Sequence, residues 1–130
     1  MSQNRNKILI VEDDDNLRKV LVDGLSGTGS ELLEAGDGEQ AVAVIVDQRP
    51  DLILLDLLLP KLDGFAVLER LRRYPEAKLA ATRVVVLSNL WSNKDILRAR
   101  ALKVDEYFVK ANTNIEDVFV KIKLILSQHP

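Results

Sequence analysis

The 130-residue chain contains no cysteine, which excludes a disulfide framework and a thiolate metal centre and makes a reducing compartment acceptable to it. Its single histidine, His129, is the penultimate residue and is expected to be frayed, so neither a conventional histidine metal site nor a Ser/His/Asp triad can be assembled. No GxGxxG follows the first apolar run, so dinucleotide binding has no phosphate loop to rest on. No apolar run approaches the roughly 20 residues that span a bilayer, and the amino terminus, MSQNRNK, lacks the apolar core of a secretion signal; a soluble, cytoplasmic protein is expected. The formal net charge of -2 gives no electrostatic reason to expect nucleic acid or an anionic membrane as partner, and no helix-turn-helix pattern is present. No linker, low-complexity tract or repeat interrupts the chain. It reads as one domain over residues 1–130, with residues 1–6 disordered, long enough to remove about two thirds of its unfolded surface from water.

What is present is a regular alternation. Leu52–Leu55 carries no polar residue on either face, which suits a strand buried on both sides of a parallel sheet; Pro50 before it and Pro60 with Asp63-Gly64 after it are turn chemistry. Ile8–Val11 and Val84–Leu87 are similar runs, Leu32-Leu33 reads as a short strand, and Tyr107–Val109 as the last. Between them lie segments with apolar residues at helical spacing. The first holds Leu17, Val20, Leu21 and Leu25, capped by Asp14 or Asp15 and ended by Gly27 to Gly29. The second opens on a capping box, Asp37 with Gln40, and buries Ala41, Val42, Val44 and Ile45. The third carries Phe65, Val67, Leu68 and Leu71 to Tyr74, where Pro75 stops it. Ser92 with Asp95 caps the fourth, which runs to about Leu102, and Thr113 with Glu116 caps a fifth with Val118, Phe119, Ile122, Ile125 and Leu126 inward. Five strands alternating with five helices predict an α/β fold, a doubly wound (βα)5 three-layer sandwich on a five-stranded parallel sheet.

In such a fold the carboxyl ends of all strands lie on one edge, the edge where ligands bind. Glu12 and Asp13, Asp56, Ser88 and Lys110 each leave a strand there. Each has an ordinary reading by itself: the acids at 12–15 as solvated helix caps, Ser88 as a turn residue, Asp56 as a turn acid, Lys110 as a lysine in water. Together they suggest a site. Three carboxylates repel unless neutralised, and hard oxygen ligands of this kind suit Mg2+ held by one or two acids and waters, with Lys110 adding positive charge and Ser88 a hydroxyl for a phosphoryl group.

With these residues in view, the chain closely resembles the receiver domain of two-component response regulators (the CheY-like family) along nearly its whole length. Glu12-Asp13 after ILIV is similar to the family's acidic pair, Asp56 in LILLDLLLP to its phosphoacceptor, Pro60 with Asp63-Gly64 to its PxxDG turn, Ser88 to its hydroxyl switch, Lys110 in YFVKA to its lysine and Tyr107 to its aromatic switch. The resemblance implies a flavodoxin-like sheet of order 2-1-3-4-5, and transfer of a phosphoryl group from a histidine kinase or histidine phosphotransfer protein to Asp56. It implies Mg2+, with Mn2+ as a substitute, on Asp13, Asp56 and the main-chain carbonyl of Leu58, with Glu12 acting through water. It also implies a phosphoacceptor switch rather than an enzyme, whose Ser88 and Tyr107 pass the signal to the face of the fourth helix, fifth strand and fifth helix. That face, with Lys94, Arg98 and Lys121, would meet a downstream protein, an effector domain or a second copy of the chain.

Three positions depart from the family pattern. Ala111 replaces the proline usual after the lysine, so the bond before it is expected to be trans; Lys103 stands where glycine is common; Asn89 is bulkier than the usual alanine. They keep open a second function, a receiver-shaped adaptor that binds without phosphorylation, and an excised amino-terminal receiver of a larger regulator is a further alternative. An independent aspartyl phosphohydrolase is disfavoured because Leu58 stands where such enzymes carry a second acid. The basic groups Arg70, Arg72, Arg73 and Arg98, Arg100, Lys103 read as solvated helix faces, and Trp91 as half-packed surface.

Overall fold

The five apolar runs are strands of one parallel sheet: β1 (Lys7–Val11), β2 (Glu31–Ala35), β3 (Leu52–Leu55), β4 (Arg83–Ser88) and β5 (Glu106–Val109), in the order 2-1-3-4-5. The computed structural model describes residues 5–128 of the chain. Pairing brings Val11 opposite both Ala35 and Leu55, Leu55 opposite Val86, and Ser88 opposite Val109, so the carboxyl ends of all five strands share one edge. Successive side chains point to opposite faces. Ile8, Ile10, Leu52, Leu54, Val85 and Leu87 therefore face one layer, formed by α1 (Asp15–Leu25) and α6 (Ile115–Ser127). Leu9, Val11, Ile53, Leu55, Val84 and Val86 face the other, formed by α2 (Gly38–Gln48), α3 (Gly64–Arg72) and α5 (Asn93–Ala101).

A sixth helix, α4 (Ala77–Ala80), was not foreseen: α3 ends at Arg72 rather than Tyr74, and the chain makes one further turn that buries Leu79. Four residues are too few for a helical period to show in a sequence. The helices expected fourth and fifth are thus α5 and α6. Asp14, not Asp15, caps α1, accepting from the amides of Asn16 and Leu17, and Asp37 caps α2 while the Gln40 side chain accepts from the amide of Gly36. Ser92 caps α5 as expected, its Oγ 3.1 Å from the amide of Asp95. The cap of α6 is Asn114 instead of Thr113, because the 3-10 turn at Lys110–Asn112 leaves Thr113 extended, with its hydroxyl donating to the carbonyl of Val109.

No cis peptide bond occurs among the described residues, so the bond from Lys110 to Ala111 is trans. Lys103 does adopt a left-handed conformation, φ 63°, a geometry that costs a side-chain-bearing residue about 1 kcal/mol. What holds it there corrects the reading of the basic clusters. Arg72 is not a solvated charge: its guanidinium donates to the carbonyls of Ala80, Thr82, Leu102 and Lys103 at 2.7 to 3.1 Å, tying α3 and α4 to the end of α5, and burial holds its pKa below the ordinary arginine value. Arg98 lies 4.1 Å from the centroid of the Phe65 ring and 3.3 Å from Glu69, so it turns toward α3. Trp91 is 73% exposed, more open than half-packed. Of the amino-terminal stretch, Arg5 bonds to the carbonyls of Gly29 and Ser30 and the carbonyl of Asn6 accepts from Glu31; residues 1–4, like His129, lie outside the described residues. No helix among the described residues is long and apolar enough to cross a membrane.

Candidate phosphoacceptor site

The site is assembled where β1, β3, β4 and β5 end side by side. Glu12 follows β1 and Asp56 follows β3; their amides continue the ladder onto the carbonyls of Ala35 and Val11, which fixes both backbones at the sheet edge. The turn after Asp56 is closed by Gly64, whose amide bonds to the carbonyl of Leu57. A Cβ at position 64 would overlap the main-chain carbonyl of Asp56, so only glycine lets α3 start this close to the acid, while Asp63 accepts from the amide of Ala66 to cap that helix.

Carboxylate oxygens of Glu12, Asp13 and Asp56 all lie within 4.8 Å of one another. Glu12 and Asp56 are 2% and 4% exposed, whereas Asp13 faces solvent. Lys110, arriving from β5, places its Nζ 2.7 Å from Glu12 Oε1 and 2.7 Å from Asp56 Oδ2. The other Asp56 oxygen accepts from the amide of Leu58 at 3.0 Å, and the other Glu12 oxygen from the amide of Asp14 at 3.1 Å. Burial dominates at Glu12 and raises its pKa above the ordinary carboxylate value, although Lys110 and the Asp14 amide pull it down. Burial also opposes the Lys110 ammonium, but its bonds to Asp56 and Glu12 outweigh that and hold its pKa above the ordinary lysine value. Three hard carboxylates, two buried and one open to water, fit a divalent cation of the Mg2+ type that keeps several waters, and no softer donor stands among them.

Ser88, fully buried at the end of β4, lies at the same edge, with its Oγ 3.4 Å from the amide of Leu90. The hydroxyl of Tyr107 donates to the carbonyl of that same Leu90 at 2.7 Å; burial first, then Asp95 and Asp56, pushes the phenol up to about 12. The hydroxyls of Ser88 and Tyr107 thus hold one residue of the β4–α5 loop at its amide and its carbonyl. Leu58, whose amide bonds to Asp56, and Trp91, in the loop after β4, are exposed apolar side chains, and Asn89 is exposed. Glu12, Asp13, Asp56 and Lys110, expected together from the strand pattern, are brought together, and Ser88 ends β4 at the same sheet edge. Of the face expected to carry the signal, Lys121 pairs with Glu106 of β5, whereas Arg98 points away toward α3.

Two roles here were missed by sequence reasoning. Arg18 donates to the carbonyl of Glu12 at 2.8 Å, and Leu90 serves Ser88 and Tyr107 through its main chain. The spacing of Asp15 and Arg18, three apart on a helix, was the one available signal for the first; main-chain roles leave none.

Comparison with known proteins agrees with this geometry. The family model of the response regulator receiver domain matches residues 8–123. The DNA-binding dual master transcriptional regulator RpaA of Synechocystis sp. is 33% identical over 120 residues, 92% of this chain and 48% of that protein. A probable transcriptional regulator, ycf27, of Cyanophora paradoxa is 34% identical over 110 residues, 85% of this chain and 44% of that protein. The chain thus spans less than half the length of these curated relatives. Among solved structures, the phosphorylated cyanobacterial phytochrome response regulator RcpA superposes with a TM-score of 0.79 at 34% identity, covering 94% of this chain and 91% of that one. A response regulator in its Mn2+-bound form superposes with a TM-score of 0.78 at 33% identity, covering 95% and 93%. With the five-stranded sheet of order 2-1-3-4-5 and the acidic cluster at its carboxyl edge, the chain belongs to the response regulator receiver domain family.

Proposed function

We propose that this chain is a phosphorylation-operated signalling switch whose acceptor is Asp56. The observation that carries the proposal is the pair of 2.7 Å contacts from Lys110 to Glu12 and Asp56: a buried carboxyl group stands at the end of a strand in contact with a cation that a phosphoryl oxygen can recruit. The carboxylate of Asp56 attacks the phosphorus of a phosphohistidine on a histidine kinase or phosphotransfer protein; the Asp56 oxygen to phosphorus bond forms as the bond to the imidazole nitrogen breaks, and the donor histidine leaves with that electron pair. Asp13, Asp56 and the carbonyl of Leu58, with Glu12 through a water, are the groups suited to hold Mg2+, or Mn2+ in its place, which when bound would neutralise phosphoryl charge. Lys110 exchanges carboxylate contacts for a phosphoryl oxygen, and Ser88 Oγ turns from Leu90 toward another. Leu90 is then released on its amide side while Tyr107 holds its carbonyl, so the displacement reaches the face of α5, β5 and α6. The chain on this reading is a phosphoacceptor in the cytoplasm that assists its own modification, with a downstream protein, an effector domain or a second copy as reader. Asn89, Ala111 and Lys103, which kept an adaptor without phosphorylation in play, leave the contacts among Glu12, Asp56 and Lys110 intact.

Intact mass after incubation with a small phosphodonor tests the proposal. One phosphoryl group is expected in Mg2+, none in excess chelator and none on Asp56→Asn. A gain that survives the substitution would refute it.

A further inference from the structure

We infer that Arg18 is a positioning residue for the metal ligands: one guanidinium fixes the peptide between Glu12 and Asp13 and so aims the Asp13 carboxylate into the site. The inference rests on the proposal that Asp13 is a ligand. Asp13 is exposed, and among the described residues its carboxylate takes part in no hydrogen bond or ion pair, so the position of the backbone that carries it sets where that carboxylate can reach. That backbone is held at two points. The Glu12 amide bonds to the carbonyl of Ala35 at 3.0 Å, and the Glu12 carbonyl, one half of the peptide leading into Asp13, accepts from Arg18 Nη1 at 2.8 Å. The remaining nitrogens of Arg18 are committed as well, Nε to Glu34 of β2 at 3.1 Å and Nη2 to Asp15 of α1 at 2.7 Å. Three acceptors on β2, α1 and the loop after β1 lock the fork, whose side chain is only 20% exposed. A lysine ammonium carries the same charge but cannot meet three acceptors in these separate directions.

Charge and position give opposite signs, which makes the inference decidable. Arg18 is a cation beside a cation site, so if it acted by charge alone its removal would tighten metal binding; if it acts by orienting a ligand, removal loosens it, and lost outer partners of metal ligands typically cost tenfold to a hundredfold in affinity. The experiment titrates Mn2+ against the native chain, Arg18→Lys, Arg18→Met and Lys19→Met, reads free Mn2+ by electron paramagnetic resonance with Mg2+ as competitor, and follows thermal unfolding in chelator. Lys19→Met removes the neighbouring exposed charge without touching the loop and is expected to bind within about twofold of the native chain. Both Arg18 variants are expected to bind about tenfold more weakly while folded. A folded Arg18 variant that binds as tightly as the native chain, or more tightly, overturns the inference, as does loss of folding in both, since the arginine would then serve the fold and not the ligand. Native binding that is absent, or unchanged by Asp13→Asn, overturns the ligand assignment itself, which separates the two failures.

Discussion

Replacing Lys110 by methionine removes the cation that, among the described residues, touches both Glu12 and Asp56, and leaves a side chain of similar length in its place. Glu12 and Asp56 then face each other at the end of the sheet with amide donors but no positive charge, and breaking a buried ion pair by removing one partner costs about 3 to 5 kcal/mol. Proteins lose about 2.1 cal/mol/K of entropy per residue on folding, so at this chain length 3 kcal/mol lowers the unfolding midpoint by about 11 °C in chelator at neutral pH. Protonation limits the loss. Glu12, already raised by burial, rises further without Lys110, so in the window between its ordinary value and its folded value the native state binds a proton that the unfolded state does not. Stability of the variant therefore falls as pH rises through the folded value and recovers toward acid, more steeply than in the native chain. At alkaline pH the order reverses: Lys110 is held above the ordinary lysine value, so it contributes stability that is present below that value and lost as pH rises through the folded one, and the variant has no such limb. Mg2+ narrows the gap, since a tenfold tighter site in the variant returns about 1.4 kcal/mol, or about 5 °C, under saturating metal. Calorimetry in chelator and in Mg2+ across this pH range measures every part of it. An unchanged midpoint in chelator, or weaker Mg2+ binding by the folded variant, would refute the reasoning.

The phosphorylated form is expected to be long-lived, minutes to many hours, because Leu58, 51% exposed and two residues after Asp56, and Leu90, two residues after Ser88, are apolar and neither can hold a water in line for attack; Leu58→Asn with Leu90→Glu should speed dephosphorylation about a hundredfold, or about 2.7 kcal/mol of barrier, followed by intact mass after the donor is removed. An unchanged rate would count against that account. Arg72→Met strips four carbonyls of their donor and should cost at least about 2 kcal/mol, seen as a midpoint about 7 °C lower, with faster amide exchange at the end of α5. Tyr107→Phe, which loses only the bond to Leu90, should leave phosphorylation of Asp56 intact and weaken the change in amide exchange that phosphorylation produces across α5, β5 and α6; a change confined to α1 and α2 in the native chain would rule that face out as the reporter.

How much of this was legible in advance follows from what kind of interaction each feature is. Leu52–Leu55 with Asp56 behind it, the acids after Val11 and Lys110 after Val109 could be read directly, because burial on both faces leaves a run without polar residues, and parallel connections oblige every strand to end on the same edge. The sheet order followed from the family resemblance, and the caps at Asp37 and Ser92 follow local chemistry that three or four residues specify. Local chemistry also misled: Thr113 with Glu116 satisfies the same rule as Ser92 with Asp95, and only the turn that follows β5 hands the cap to Asn114. Arg72 shows the limit most plainly. Its four acceptors lie eight to thirty-one residues further along the chain, on segments whose approach depends on the packing of α3, α4 and α5 together, so nothing in its sequence neighbourhood distinguishes it from solvated Arg73. The same holds for the bond from Tyr107 to the carbonyl of Leu90 and for the exposure of Trp91. Sequence periodicity determined which residues line the sheet and which acids stand at its edge, because burial acts on each strand by itself; which side chain holds which carbonyl was left to the tertiary structure, because a hydrogen bond between distant segments exists only once packing has set the distance between them.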